Sequence, residues 1–188
     1  MRRQTAYWLM GAIVLAFFVA WTLRESGSNV GPTELEAVQI GEIHPLTRWE
    51  EIYLGGQPSP KDLQALRAQG FETIINLRKV DETDWDESEA VAKLGMHYVH
   101  LPFSSPAELT DELFDKALEN LAAAEEGKRL LHCASSNRVG AIWYAYRRLE
   151  GGLSAEAAEQ EARSSGLRSS NLLEVAREYV ANQQSATN

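Results

Sequence analysis

From about residue 36, short apolar runs alternate with helix-patterned stretches, and that alternation leaves few folds open. Glu51-Ile52-Tyr53-Leu54 reads as a strand closed by Gly55-Gly56. Ser59-Pro60 opens a helix with proline in its first turn, Leu63, Ala65 and Leu66 form its apolar stripe, and Gly70 ends it. Phe71 to Leu77 is nearly continuous in apolar and β-branched residues, the pattern of a buried central strand. Glu87 to Leu94 reads as helix, Met96 to Leu101 as a strand stopped by Pro102, and Thr110 caps a helix that begins Asp111-Glu112. A strand over residues 129–132, a helix from Val139, a break at Gly151-Gly152 and helices over Ser154–Ser164 and Ser170–Ala181 complete the pattern. Strands that alternate with helices pair in parallel, so the prediction is one α/β domain.

Within that frame, Leu131-His132-Cys133-Ala134-Ser135-Ser136-Asn137-Arg138-Val139-Gly140 carries the chemistry. A loop between a strand end and a helix start gathers free backbone N–H groups and the positive end of the helix dipole. The only cysteine of the chain stands at the loop's mouth and an arginine at its exit. That arrangement suits an anion and favours thiolate over thiol. A lone cysteine is more often a small buried hydrophobe. Here His132, Ser135, Ser136, Asn137 and Arg138 make its surroundings polar, which a packing role does not need. The segment predicts a cysteine nucleophile beside an oxyanion site, at the carboxyl end of a parallel strand, where open α/β sheets place ligands.

The first residues suggest a second unit. Ala6 to Leu23 is an almost unbroken apolar run of 18 residues behind Arg2 and Arg3. As a helix it would span roughly 27 Å, close to a hydrocarbon core of about 30 Å. The apolar core of a cleavable signal is usually about 7–15 residues, and Phe18-Val19-Ala20 lacks a small-x-small cleavage pattern. The reading is an uncleaved inner-membrane anchor over residues 1–24, with secretion after cleavage as the alternative. Arg2 and Arg3 against Arg24-Glu25 keep the N-terminus cytoplasmic and place the domain in the periplasm. Residues 25–44 read as a linker, 45–182 as the domain and 183–188 as a disordered tail. A net charge of −9 argues against nucleic acid as partner and requires any anion pocket to be built locally.

Four segments, Ile52-Tyr53-Leu54-Gly55-Gly56-Gln57-Pro58-Ser59, Thr73-Ile74-Ile75-Asn76-Leu77-Arg78, Tyr98-Val99-His100-Leu101-Pro102 and His132-Cys133-Ala134-Ser135, occur in an order that resembles bacterial dual-specificity and tyrosine phosphatase-like proteins. The subgroup they resemble is the phosphatase-like domain also found fused to NAD kinases or to β-lactamase-hydrolase-like proteins. The resemblance covers residues 45–180. It implies a mostly parallel sheet of four or five strands with helices on both faces. It also implies metal-free, cofactor-free hydrolysis of a phosphorylated small molecule or phosphoprotein through a phosphocysteine intermediate. Carried over, Cys133 attacks phosphorus and Arg138 grips two oxygens. The amides of Ala134, Ser135, Ser136, Asn137 and Arg138 stabilise the charge, and His132 supports the loop.

The chain departs from that pattern in four places. Four residues, not five, separate Cys133 from Arg138, a spacing that resembles rhodanese sulfurtransferases and suits a persulfide sulfur. Ser136 stands where a loop glycine is usual, and Val139 where a hydroxyl residue follows the arginine. Ser104-Ser105 occupies the place of the aspartate general acid, leaving Glu108, Asp111 and Asp84 (or Asp86) as candidates. Losing general acid help removes roughly 10²–10⁴-fold in rate, which predicts a slow enzyme. A sulfurtransferase or persulfide carrier on the same scaffold, and a module that binds an anion without turnover, stand as alternatives. Elsewhere, the acidic run around Trp85 reads as a solvated face, and Arg78 either adds charge near the pocket or neutralises that run. His44, His97 and His100 lack metal-ligand spacing.

Overall fold

The computed structural model describes residues 35–123 and 127–186. The strands are β1 (Glu36–Ala37), β2 (Leu46–Trp49), β3 (Ile52–Gly55), β4 (Phe71–Asn76), β5 (His97–His100) and β6 (Lys128–His132). The helices are α1 (Pro60–Ala68), α2 (Glu87–Lys93), α3 (Asp111–Ala122), α4 (Asn137–Leu149), α5 (Ala155–Ser165) and α6 (Ser170–Ala186). One sheet runs in the order β1-β2-β3-β6-β4-β5. The pairs β3–β6, β6–β4 and β4–β5 are parallel.

The sheet is therefore larger and more mixed than four or five mostly parallel strands. It has six, because β1 and β2 add an antiparallel meander at the edge beside β3. Leu46-Thr47-Arg48-Trp49 is too short and too polar to announce itself, and β1 has two residues. Both lie outside or at the margin of what the sequence marks as domain, β1 falling within residues read as linker. At the other end α6 continues to Ala186, through residues read as a disordered tail. Among the described residues no helix is long and apolar enough to cross a membrane. The apolar run 6–23, and the anchor and periplasmic placement read from it, fall outside the described residues.

Alternate residues of the central strands feed two cores. Tyr53, Ile74 and Leu130 pack with Leu63 and Leu66 of α1 and Val91 of α2. Leu54, Ile75 and Leu131 pack on the opposite face with Phe114, Ile142, Ala158 and Leu173 of the other four helices. The period-two alternation of strand side chains produces this division. Helix α4 is the hub of the second core: every residue from Val139 to Arg147 is buried. Its aromatics are packing groups, Trp143 lying edge-on to Trp49 with centroids 5.8 Å apart.

Close approach explains one glycine. A Cβ on Gly140, in the first turn of α4, would stand 2.6 Å from Leu167 Cβ and 2.8 Å from the Ala162 carbonyl oxygen. Gly140→Ala must push α5 away from α4, and overpacking of this kind costs about 1–2 kcal/mol. Urea unfolding should show that loss, and an unchanged midpoint would mean the helices separate freely.

Candidate active site

Strand β6 is buried between β3 and β4 and delivers Cys133 immediately after its last residue. The Cys133 amide donates to the Gly55 carbonyl at 3.3 Å, which extends the ladder to the loop itself. The Gln57 amide donates to the Ala134 carbonyl at 3.4 Å, pinning the next residue. Cys133 is 1% exposed. It packs in the core on one side and lines a cleft of about 330 Å³ on the other. Ser135, Asn137 and Arg138 line the same cleft, with Glu82, Ser104, Ser169 and Leu172. The first backbone bond of α4 runs from Gly140 N–H to the Ser136 carbonyl at 3.1 Å. The amides of Asn137, Arg138 and Val139 precede that bonding, as helix geometry requires.

Ser136 is the residue that turns the loop into the helix, and it does so at φ 62°, ψ 0°. This is the left-handed region, which disfavours a side chain. Its buried hydroxyl has no hydrogen-bond partner among the described residues. Ser136→Gly removes both penalties and adds the backbone entropy of glycine to the unfolded chain. The balance is a gain of about 1 kcal/mol, measurable by thermal unfolding; a loss would mean the serine side chain holds the loop.

Arg138 is not free. Its Nη1 donates to Glu82 Oε1 at 2.7 Å, to the Phe103 carbonyl at 2.6 Å and to the Leu77 carbonyl at 3.1 Å. Its Nη2 donates to Glu82 Oε2 at 2.6 Å. Glu82 ends a 3₁₀ turn, Val80–Glu82, and the Arg138 bonds first, with the Lys79 amide at 2.8 Å and the Arg78 charge, lower its pKa from 4.5 to about 2 against the opposing effect of burial. The buried Arg78 adds its field from behind, with Nε 3.7 Å from Glu82 Oε2. Burial works against the Arg138 charge, but Glu82 and the nearby Cys133 sulfur more than offset it.

Beneath the loop lies a polar cluster. His132 Nε2 stands 2.7 Å from Glu87 Oε1, both side chains almost fully buried. The distance is that of an ion pair, while the alignment falls short of a hydrogen bond. The Asn76 amide donates to Glu87 Oε2 and to the Tyr98 hydroxyl, each at 2.9 Å. Burial, with help from the Glu87 and Asp86 carboxylates, pushes the Tyr98 phenol up to about 12. His132 thus sits on a braced platform at the end of β6.

The three acids singled out from the sequence are elsewhere. Glu108 accepts from the Ser104 amide and from Lys79 Nζ, each at 2.9 Å, and the Lys79 bond holds its carboxyl below the usual range. Asp111 is the exposed first residue of α3. Asp84 lines a separate cavity of about 630 Å³ with Trp85, Tyr98 and His100. None of the three lines the Cys133 cleft; the acid that does is Glu82. Among the described residues no group of three or more His, Cys, Asp or Glu is placed to hold a metal.

Sequence reading missed Glu82, Glu87, Asn76 and Arg168. Arg168 Nη2 donates at 2.8 Å to Oγ of Ser135, which lines the cleft, and Asn137 Oδ1 accepts from the amides of Arg168 and Ser169. Asn137 therefore ties the start of α6 to the start of α4. Glu82 and Glu87 lay within the acidic run, where nothing local separated them from solvated neighbours.

Residues 47–149 match the family described as the beta-lactamase hydrolase-like protein, phosphatase-like domain. The chain belongs to this family. It is 30% identical over 107 residues to the beta-lactamase hydrolase-like protein of Agrobacterium fabrum (strain C58), a stretch that is 54% of this chain. The match spans 24% of that relative's length, so the chain corresponds to about a quarter of it. Among solved structures the fold is similar to TpbA of P. aeruginosa, with a TM-score of 0.63 at 24% identity over 80% of this chain and 91% of that one. It is also similar to PTPMT1 in complex with PI(5)P, with a TM-score of 0.64 at 18% identity over 73% and 94%. A TpbA cysteine-to-serine variant, solved in complex with pTyr, has a TM-score of 0.62 at 23% identity over 79% of this chain and 89% of that one. These phosphatase-like domains share the α/β sheet and its helices with this chain.

Proposed function

We propose that the Cys133 cleft is the active site of a slow, cysteine-dependent phosphatase-like hydrolase acting on a phosphate monoester. The observation that carries this reading is the placement of Cys133 at the carboxyl end of β6, lining one cleft with Arg138 of the first turn of α4. Membership of the phosphatase-like family supports it, as do fold relatives solved with a phosphotyrosine and a phosphoinositide. In this reading Cys133 Sγ attacks phosphorus, an S–P bond forms and the P–O bond to the leaving group breaks. The leaving oxygen takes its proton from water, because Glu82, the carboxylate of the cleft, is ionised throughout the neutral range. Water then attacks the phosphocysteine and releases phosphate and the thiol. A phosphorylated small molecule or a phosphoprotein fits this chemistry, and neither metal nor cofactor enters it.

The four-residue span from Cys133 to Arg138 favours a second reading, a sulfurtransferase or persulfide carrier. There Cys133 Sγ takes the outer sulfur of thiosulfate, sulfite leaves, and cyanide accepts the sulfur as thiocyanate. Assays of residues 30–188 with an aryl phosphate, and with thiosulfate plus cyanide, separate the two. Phosphate release that depends on Cys133 supports hydrolysis, and thiocyanate formation supports the alternative. Oxyanion binding without either product would leave an anion-binding module.

A further inference from the structure

We infer that Arg168 forms a second anion subsite, and that the cleft takes a small molecule carrying one anionic group at Cys133 and another at Arg168. The inference rests on reading the cleft as an anion site.

The cation supplied by the loop, Arg138, is already matched by Glu82 through two bonds, of 2.7 and 2.6 Å. Arg138 and Glu82 therefore balance within the lining of the cleft, and Arg78 behind Glu82 adds one positive charge, in a chain of net charge −9. A doubly charged ligand needs further positive charge from the immediate surroundings. Arg168 supplies it. Its guanidinium bonds the Ser135 hydroxyl at 2.8 Å, and among the described residues no carboxylate pairs with it. Its position is fixed from the backbone, since its amide and that of Ser169 both donate to Asn137 Oδ1, at 2.7 and 3.0 Å. The guanidinium is thus exposed to solvent and anchored to Ser135, a residue of the cysteine loop that lines the cleft, while its chain neighbour Ser169 lines the cleft as well.

Size and lining agree. The cleft, at about 330 Å³, is at the lower end of small-molecule sites. It is roomier than a single tetrahedral oxyanion requires. Pro106 and Leu172 add apolar surface to its lining. A compact organic body with an oxyanion at each end fits the cysteine loop, Arg168 and this apolar surface.

The test uses Cys133→Ser as a binding frame that cannot turn over, titrated calorimetrically with inorganic phosphate and with pyrophosphate. Pyrophosphate should bind more tightly than phosphate. Adding Arg168→Gln should weaken pyrophosphate about tenfold or more, the loss of one charge-assisted pair, while phosphate changes less than about threefold. Arg168→Lys, which keeps the charge, should recover most of the loss and shows that the effect is not a folding defect. Equal losses for both ligands, or none, would overturn the second subsite while leaving the cleft an anion site. If the frame binds neither ligand, the reading of the cleft itself fails and this inference goes with it.

Discussion

Replacing Cys133 by serine is expected to abolish phosphate release from an aryl phosphate, by at least about 10³-fold in kcat, while the domain stays folded. A serine hydroxyl at this position has no base beside it: His132 faces Glu87 below the loop, and Glu82 is committed to Arg138. Without a base an alcohol is a poor nucleophile, whereas the thiolate needs none. Because Cys133 is almost fully buried, the new hydroxyl costs about 1–2 kcal/mol in stability, and circular dichroism should show an intact fold. The same logic sets the leaving-group dependence. With no acid in the cleft to protonate the departing oxygen, about 10²–10⁴-fold of assistance is missing. Nitrophenyl phosphate should therefore outpace phenyl phosphate by a wide margin in kcat. Equal rates for the two would show that a proton donor reaches the site. Full activity in the serine variant would remove Cys133 from the chemistry altogether. Thiocyanate formation that vanishes in Cys133→Ser, with no phosphate release from wild type, would transfer the reading to sulfur chemistry.

What could be read from the sequence was local. The strand, loop and helix around Cys133 lie within about 20 consecutive residues, so their apolar runs, polar insert and glycine break were all visible together. Even the demand for a left-handed residue at Ser136 showed, as a serine where the related pattern has glycine, and the backbone takes φ 62° there. The helix starts read at Ser59-Pro60 and at Thr110 are the observed ones, and Asp62 closes a capping box with Ser59 that the reading did not include. Contacts made across the fold left no such trace. Glu82 and Arg138 are 56 positions apart and meet only because β4 and β6 are neighbours. Glu87 looked like one more solvated acid, yet the first turn of α2 turns it inward onto His132 and Asn76. The edge strands β1 and β2 escaped for a different reason, being too short for an alternation to emerge.

The Arg138–Glu82 pair is where stability and function are tied together, and Arg138→Met should expose both. The guanidinium bonds the end of β4 through Leu77, the loop after β5 through Phe103, and the 3₁₀ turn through Glu82, so one side chain on α4 holds three segments. Methionine fills much of the volume but takes the donor from the Phe103 carbonyl, leaves the Leu77 carbonyl with the Phe103 amide alone, and leaves Glu82 with the Lys79 amide and Arg78 at 3.7 Å. The expected cost is about 3 kcal/mol at neutral pH, and kcat/KM for an aryl phosphate should fall at least about 10²-fold as the transition-state charge loses its partner. The pH dependence distinguishes this pair from general loosening. Glu82 titrates at about 2 in the folded chain against an ordinary 4.5, so its pairing stabilises the fold fully above 4.5 and is lost as pH falls toward 2. That interval corresponds to ~3 kcal/mol before screening, and about 1–2 kcal/mol once the partial solvation of the carboxylate is counted. The stability gap between wild type and Arg138→Met should therefore be widest above pH 5 and narrow by somewhat more than half of that amount, about 1 kcal/mol, on acidification to pH 3. Urea midpoints at pH 7, 4 and 3 measure it. A gap that stays constant across the three would mean that the carbonyl bonds alone account for the loss, and that Glu82 contributes charge to the cleft without holding it together.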